Sequence, residues 1–172
     1  MIFFWIFFAF LISQRAFELI LAKRNEQIVK SRGALEFDRD GYRYIVVMHV
    51  AFFISLVLEN FLLQRELNRF WVLFLPIFLA AQILRYWAIS SLGVYWNTKV
   101  LVVPGSELTT KGPYRYLKHP NYVAVVVEIA VIPLIFSCYF TSILFSIMNL
   151  ILVRRRIGIE ESALESISAK AP

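Results

Sequence analysis

The chain of 172 residues holds one cysteine, Cys138, and two histidines, His49 and His119. A lone thiol closes no internal disulfide, and no group of His and Cys has the spacing of a ligand set, so no metal is expected. Charge is scarce as well: Asp, Glu, Lys and Arg make up 17% of the residues, against roughly 25% in soluble domains. That deficit argues against a water-soluble globule. The net charge of +6 falls in connectors beside apolar segments and not along one helical stripe, which disfavours a nucleic-acid partner. Repeats, low-complexity tracts and a second domain are also absent, so a single domain, 1–172, is expected.

What the chain has in abundance is apolar surface. Hydrophobic residues account for 59%, with 16 phenylalanines. Several runs approach the ~20 residues a helix needs to cross a bilayer, and in lipid every backbone polar group must be satisfied within the span. The expected fold is therefore all-α: a polytopic membrane bundle of about five helices, at residues 2–22, 44–63, 70–91, 121–136 and 139–153. The first segment lacks the positive flank of a signal peptide and reads as a retained helix. Pro133 and the short Ser137-Cys138-Tyr139-Phe140 connection make the last two a tight helical hairpin. Basic residues crowd the first connector (Lys23, Arg24, Lys30, Arg32, Arg39, Arg43), the third (Lys99, Lys111, Arg115, Lys118) and the tail (Arg154, Arg155, Arg156). By the positive-inside rule these are cytoplasmic, with the amino terminus outside and the carboxyl terminus inside.

Ionisable groups within apolar spans have to snorkel, pair or face a hydrated cavity. Arg85 is the foremost of them, in the third span, with Trp96 and Asn97 just beyond. Arg15 and Glu18 are one turn apart and suit an i,i+3 ion pair. His49 reads as a neutral imidazole satisfied by a neighbouring helix, and Glu59 as an interfacial carboxylate.

The chemistry concentrates in two places. Gly112-Pro113-Tyr114-Arg115-Tyr116-Leu117-Lys118-His119-Pro120-Asn121-Tyr122 packs aromatic, cationic and imidazole groups between two apolar segments. Beyond the hairpin follows Arg154-Arg155-Arg156-Ile157-Gly158-Ile159-Glu160-Glu161. Together they offer tyrosine faces for a purine, Lys118 and His119 for anions, and Glu160 and Glu161 as acceptors for an amine or ribose hydroxyls. Pro120 suits the first turn of a helix. The plainer reading is an interfacial aromatic and basic belt with a stop-transfer signal, and composition leaves both open.

The ordered set of Gly112 to Tyr122, a hydrophobic hairpin, Arg156-Ile157 and Glu160-Glu161 resembles the isoprenylcysteine carboxyl methyltransferase family. Upstream, Leu84 to Ile89, Leu92-Gly93 and Trp96-Asn97 resemble its compact bacterial branch. The resemblance implies an integral-membrane enzyme that takes a methyl group from S-adenosylmethionine without a Rossmann domain, so the missing glycine-rich fingerprint is no obstacle. It implies a cofactor-binding half at about 92–172, with Tyr116, Leu117, Lys118, His119, Pro120, Tyr122, Glu160 and Glu161 at the cofactor and Arg156 near methyl transfer; Arg85, read from its depth in the third span as bordering the active cavity, is expected to join Arg156 in orienting an anionic oxygen. Lys118 stands where the motif commonly has arginine, and Ala124 where it often has glycine; lysine keeps the charge and loses the fork.

An O-methylation is the expected reaction, on a lipophilic acceptor that enters from membrane lipid. The favoured acceptor is the enolic or phenolic hydroxyl of an alkylpyrone or alkylresorcinol, which ties the protein to a type III polyketide synthase, ahead of a prenyl-type carboxylate. A phospholipid N-methyltransferase and a non-enzymatic membrane scaffold are the alternatives; a sterol reductase is disfavoured by the short chain.

Overall fold

The computed structural model describes residues 2–106 and 109–168. It is all-α apart from one small sheet. The helices are α1 (Ile2–Ser31), α2 (Arg39–Leu62), α3 (Trp71–Leu92), α4 (Pro120–Ile135) and α5 (Tyr139–Ser168); the strands are β1 (Leu35–Phe37) and β2 (Val100–Val102). All five expected spans are present as helices. Three of them, α1, α2 and α3, are long and apolar enough to cross a membrane, while α4 is a shorter apolar helix. Two runs go further than hydropathy suggests. α1 continues through the charged Lys23–Lys30 stretch, and α5 runs unbroken through Arg154–Arg156 to Ser168.

The chain resolves into two compact units, residues 1–39, 92–108 and 158–172 in the first, 40–91 and 109–157 in the second. In the first, the buried residues of α1 recur every three or four positions, from Phe4, Phe7 and Leu11 to Gln14, Glu18, Ala22, Asn25 and Val29. This is a single stripe along a 3.6-residue repeat. Phe3, Ile6, Phe10, Phe17 and Ile20 are exposed on the remaining faces, as suits a helix whose solvent is lipid. Near its end Asn25 Nδ2 donates to the carbonyls of Gly93 (3.2 Å) and Trp96 (2.8 Å), and Asn97 Nδ2 returns a bond to Ala22 O (2.9 Å). These contacts fasten the short 3₁₀ turn Gly93–Tyr95 to α1.

The connection after α1 contains β1, which pairs antiparallel with β2, Glu36 opposite Leu101. Three-residue strands carry too little periodicity to be read from sequence. Val100 and Val102 of β2 form a small core with Ala163 of α5, flanked by Phe37 and Leu164. Lys99 and Lys30 bridge Glu26 and Glu36 at the edge; the hydrogen bond from Lys30 holds the Glu36 carboxyl below its ordinary range.

In the second unit, lipid tails are as apolar as leucine, so apolar burial alone does not decide which helix face turns inward. Polar contacts between helices do. Ser55 Oγ of α2 meets Thr141 Oγ1 of α5 at 2.8 Å, beside an edge-to-face pair of Phe52 and Phe145. Glu59 of α2, read from sequence as interfacial, accepts from the backbone N–H groups of Phe140 (3.2 Å) and Thr141 (2.7 Å). A carboxylate there satisfies orphan donors at the start of α5 and suits the positive end of its dipole. Ser142 Oγ donates to Ala130 O at 2.7 Å and so closes the α4–α5 hairpin.

Candidate functional site

The Gly112–Tyr122 segment starts with a 3₁₀ turn, Gly112–Arg115, with Pro113 buried beneath it. Gly112 has φ +59, and a Cβ there would collide with Ser91 Oγ and come within 3.0 Å of Trp87 Nε1. Only glycine combines that backbone with so close an approach to the end of α3. After the turn the backbone N–H groups of Tyr116 and Leu117 bond to Pro113 O at 3.0 and 2.9 Å. Tyr116, Leu117 and Lys118 are exposed, whereas His119 is half-buried and Pro120 buried.

His119 is the N-cap residue of α4 and Pro120 its first residue, as expected. Its carbonyl accepts from the N–H groups of Tyr122 and Val123, so the first turn fixes the His119 and Tyr122 side chains together. Their rings lie 5.5 Å apart with a tilt of 30°. Arg156 of α5, only 8% exposed, donates from Nε to the Tyr122 hydroxyl at 2.9 Å. Its guanidinium carbon is 5.8 Å from the centre of the same ring. The structure thus gathers His119, Tyr122 and Arg156 at one end of the α4–α5 hairpin. Ala124, next on α4, is fully buried, so a small residue is what fits there.

Glu160 and Glu161 are half-buried on α5, on the stretch that belongs to the first unit, a turn before Ala163 reaches the β1–β2 sheet. Trp96 and Asn97 belong to that unit too, held by α1. Among the described residues no group of three or more His, Cys, Asp or Glu side chains has the arrangement of a metal site.

Arg85 has a partner that the sequence reading left unnamed. Its Nε and Nη2 donate to the two carboxylate oxygens of Glu128 on α4, both at 2.6 Å, and Gln82 Nε2 adds a third bond at 3.0 Å. The side chains are 3% and 1% exposed. A buried, bidentate pair of this kind neutralises both charges. Arg85 therefore sits where it locks α3 to α4, and not as an unclaimed cation awaiting an anion. The signal lay in the sequence: a single Glu in an apolar run implies a cationic partner in another span.

Of the remaining spans, Arg15 Nη1 pairs with Glu18 at 2.6 Å, the expected i,i+3 bridge, and Gln14 adds a bond to the same carboxylate. His49 Nδ1–H donates to Ile45 O at 2.8 Å, a bond within its own helix and not to the neighbouring helix named as the expected partner.

Comparison with known proteins decides the lineage. Residues 71–166, more than half of the chain, match the isoprenylcysteine carboxyl methyltransferase (ICMT) family. The chain belongs to the isoprenylcysteine carboxyl methyltransferase family. The ICMT match runs from α3 through the Gly112–Tyr122 segment to Glu160 and Glu161, so it contains every residue proposed for the site. The family consists of S-adenosylmethionine-dependent methyltransferases of membranes, and this chain is accordingly an integral membrane protein. An uncharacterized protein of Bacillus subtilis (strain 168), YpbQ, is 50% identical over 167 residues, covering 97% of this chain and 99% of its own. An uncharacterized protein of Haemophilus influenzae (strain ATCC 51907 / DSM 11121 / KW20 / Rd) is 24% identical over 172 residues, covering 99% of this chain and all of its own. No solved structure matches.

Proposed function

We propose that this protein is a single-domain, S-adenosylmethionine-dependent O-methyltransferase of the bacterial cell membrane whose acceptor is a small lipophilic molecule. The observation that carries the reading is the Arg156–Tyr122–His119 group inside the family match. The cofactor contacts are Tyr116, Leu117, Lys118, His119, Pro120, Tyr122, Glu160 and Glu161. Their chemistry fits the group: carboxylates for its amine or ribose hydroxyls, lysine and imidazole for its carboxylate, tyrosine faces for the adenine. When bound, S-adenosylmethionine supplies a methyl group activated on a sulfonium.

The side chains then have little acid–base work to do. In-line displacement gains most from holding nucleophile and methyl carbon in near-attack geometry. A carboxylic acid with a pKa of about 4 is already ionised at neutral pH, and an acidic enol behaves alike. Arg156 holds such an anionic oxygen; its guanidinium has five N–H donors, enough to serve Tyr122 and an acceptor together. Tyr122 sets the rotamer of Arg156. Arg85, engaged by Glu128, acts as a positioning residue that holds α4, and with it His119 and Tyr122, against α3. α4 rises only about 24 Å, less than the ~30 Å hydrocarbon core, which favours an acceptor that slides in from the acyl region.

The preferred acceptor is the hydroxyl of an alkylpyrone or alkylresorcinol, the product class of a type III polyketide synthase, ahead of a prenyl-type carboxylate. The test uses purified protein in mixed micelles with methyl-labelled S-adenosylmethionine and, in parallel, an alkylresorcinol, an alkylpyrone, a prenylcysteine and phosphatidylethanolamine. Label is expected in the first two and lowered about tenfold to a hundredfold by Arg156→Ala, as loss of a charge-assisted hydrogen bond implies. Label only in phosphatidylethanolamine, untouched by that substitution, establishes the N-methyltransferase instead. Absence of cofactor binding by folded protein leaves the scaffold.

A further inference from the structure

Asn149 lies mid-way along the apolar part of α5, between Met148 and Leu150, and is 1% exposed. Its Nδ2 has no hydrogen-bond partner in the protein, and neither has the buried Ser146 Oγ one turn earlier. These two belong to a series of polar residues on one face of the helix. Ser142 bonds to Ala130 O, Ser146 and Asn149 follow, and Arg156 comes two turns after Asn149. Positions seven apart on an α-helix share a face.

An orphaned amide donor in an apolar interior carries a free-energy penalty that a fold seldom tolerates without cause. The amide nitrogen only donates, so its missing partner is an acceptor; the hydroxyl of Ser146 donates or accepts. Long side chains on a helix lean toward its N-terminus, which on α5 carries the Arg156 side chain in the direction of Asn149.

We propose that Ser146 and Asn149 form a hydrogen-bonding subsite for a second oxygen of the lipophilic acceptor, a ring hydroxyl or carbonyl, while Arg156 holds the oxygen that reacts. The inference rests on the reading of Arg156 as the acceptor residue. It narrows the acceptor class to molecules with two oxygens on one head group and a hydrocarbon tail. A lipid with one polar function leaves Asn149 unsatisfied.

The experiment separates this subsite from the methyltransferase reading by using binding as well as turnover. Thermal shift of the purified protein in micelles is measured with 5-pentadecylresorcinol, with 3-pentadecylphenol, which lacks the second hydroxyl, and with S-adenosylmethionine alone. Wild type is expected to bind the resorcinol about tenfold more tightly than the phenol, the worth of one hydrogen bond. Asn149→Leu abolishes that preference, keeps the response to S-adenosylmethionine, and melts no lower than wild type without ligand, since it removes an unsatisfied donor. Ser146→Ala reduces the preference by a smaller factor and serves if the leucine variant does not fold. Equal binding of both lipids by wild type, or an unchanged preference in the variants, overturns the subsite. Loss of label transfer to either lipid with the binding preference intact overturns the methyltransferase reading and leaves the subsite standing.

Discussion

Cys138 shows what one side chain's surroundings do to its chemistry. It is fully buried between α4 and α5, and burial, with the Glu59 carboxylate nearby, pushes its thiol up to about 12. The thiolate is the reactive form, and an ordinary thiol titrates near 8.5. Raising the pKa disfavours the anion, so reactivity appears only as pH climbs toward the folded value. Alkylation of folded protein by N-ethylmaleimide at pH 8 is expected to run more than about a thousandfold slower than that of the denatured chain, and to rise about tenfold per pH unit from pH 8 to 10. Mass spectrometry of the modified protein measures both. Rapid labelling of folded protein at pH 8 contradicts the burial. The sequence identified Cys138 as a lone thiol; its inertness comes first from burial and then from Glu59, which is 79 positions away and becomes a neighbour only when α2 caps α5.

Helices α3 and α4 raise a related question, because the bond between them is ionic in a setting where ions are costly. Arg85 was legible as a charge needing company, but Glu128 was hidden in an apolar run, and only the packing shows that the two meet. Asn149 escaped notice for the same reason: an isolated polar residue in a span carries no period or motif. Breaking a buried pair leaves one uncompensated charge and costs about 3–5 kcal/mol, while replacing both partners by apolar groups of similar volume is about neutral. Glu128→Ala is therefore expected to destabilise the protein by about that amount, and the double variant Arg85→Met, Glu128→Leu to restore most of it. Reversible unfolding in mixed SDS micelles reads the stability. Methyl transfer read alongside tells positioning from catalysis: a restored fold with restored turnover makes Arg85 a positioning residue, whereas a restored fold with turnover still lost places its guanidinium at the acceptor.

For the chain as a membrane protein, hydropathy located all five helices because apolar length needs no tertiary partner to be visible. It missed the extra turns of α1, where polar sequence stays helical, and β1–β2, which is held by Ala163 from far along the chain. Orientation across the bilayer rests on charge alone. The first connector and the Lys99–Lys118 region are rich in basic residues, whereas the connector between α2 and α3 holds two basic residues, Arg65 and Arg69, against Glu66. Positive charge in short loops stays cytoplasmic, so Glu66 is expected on the outer face and Arg32 on the inner. Both positions are exposed. Single-cysteine variants Glu66→Cys and Arg32→Cys, each in a Cys138→Ser background, are treated in intact cells with a membrane-impermeant maleimide. Glu66→Cys should label directly and Arg32→Cys only after permeabilisation; the reverse pattern inverts the protein and moves the Arg156 site to the outer face, away from cytoplasmic S-adenosylmethionine. An inverted orientation would thus remove the proposed cofactor along with the topology, which makes this the least costly single test of the functional reading.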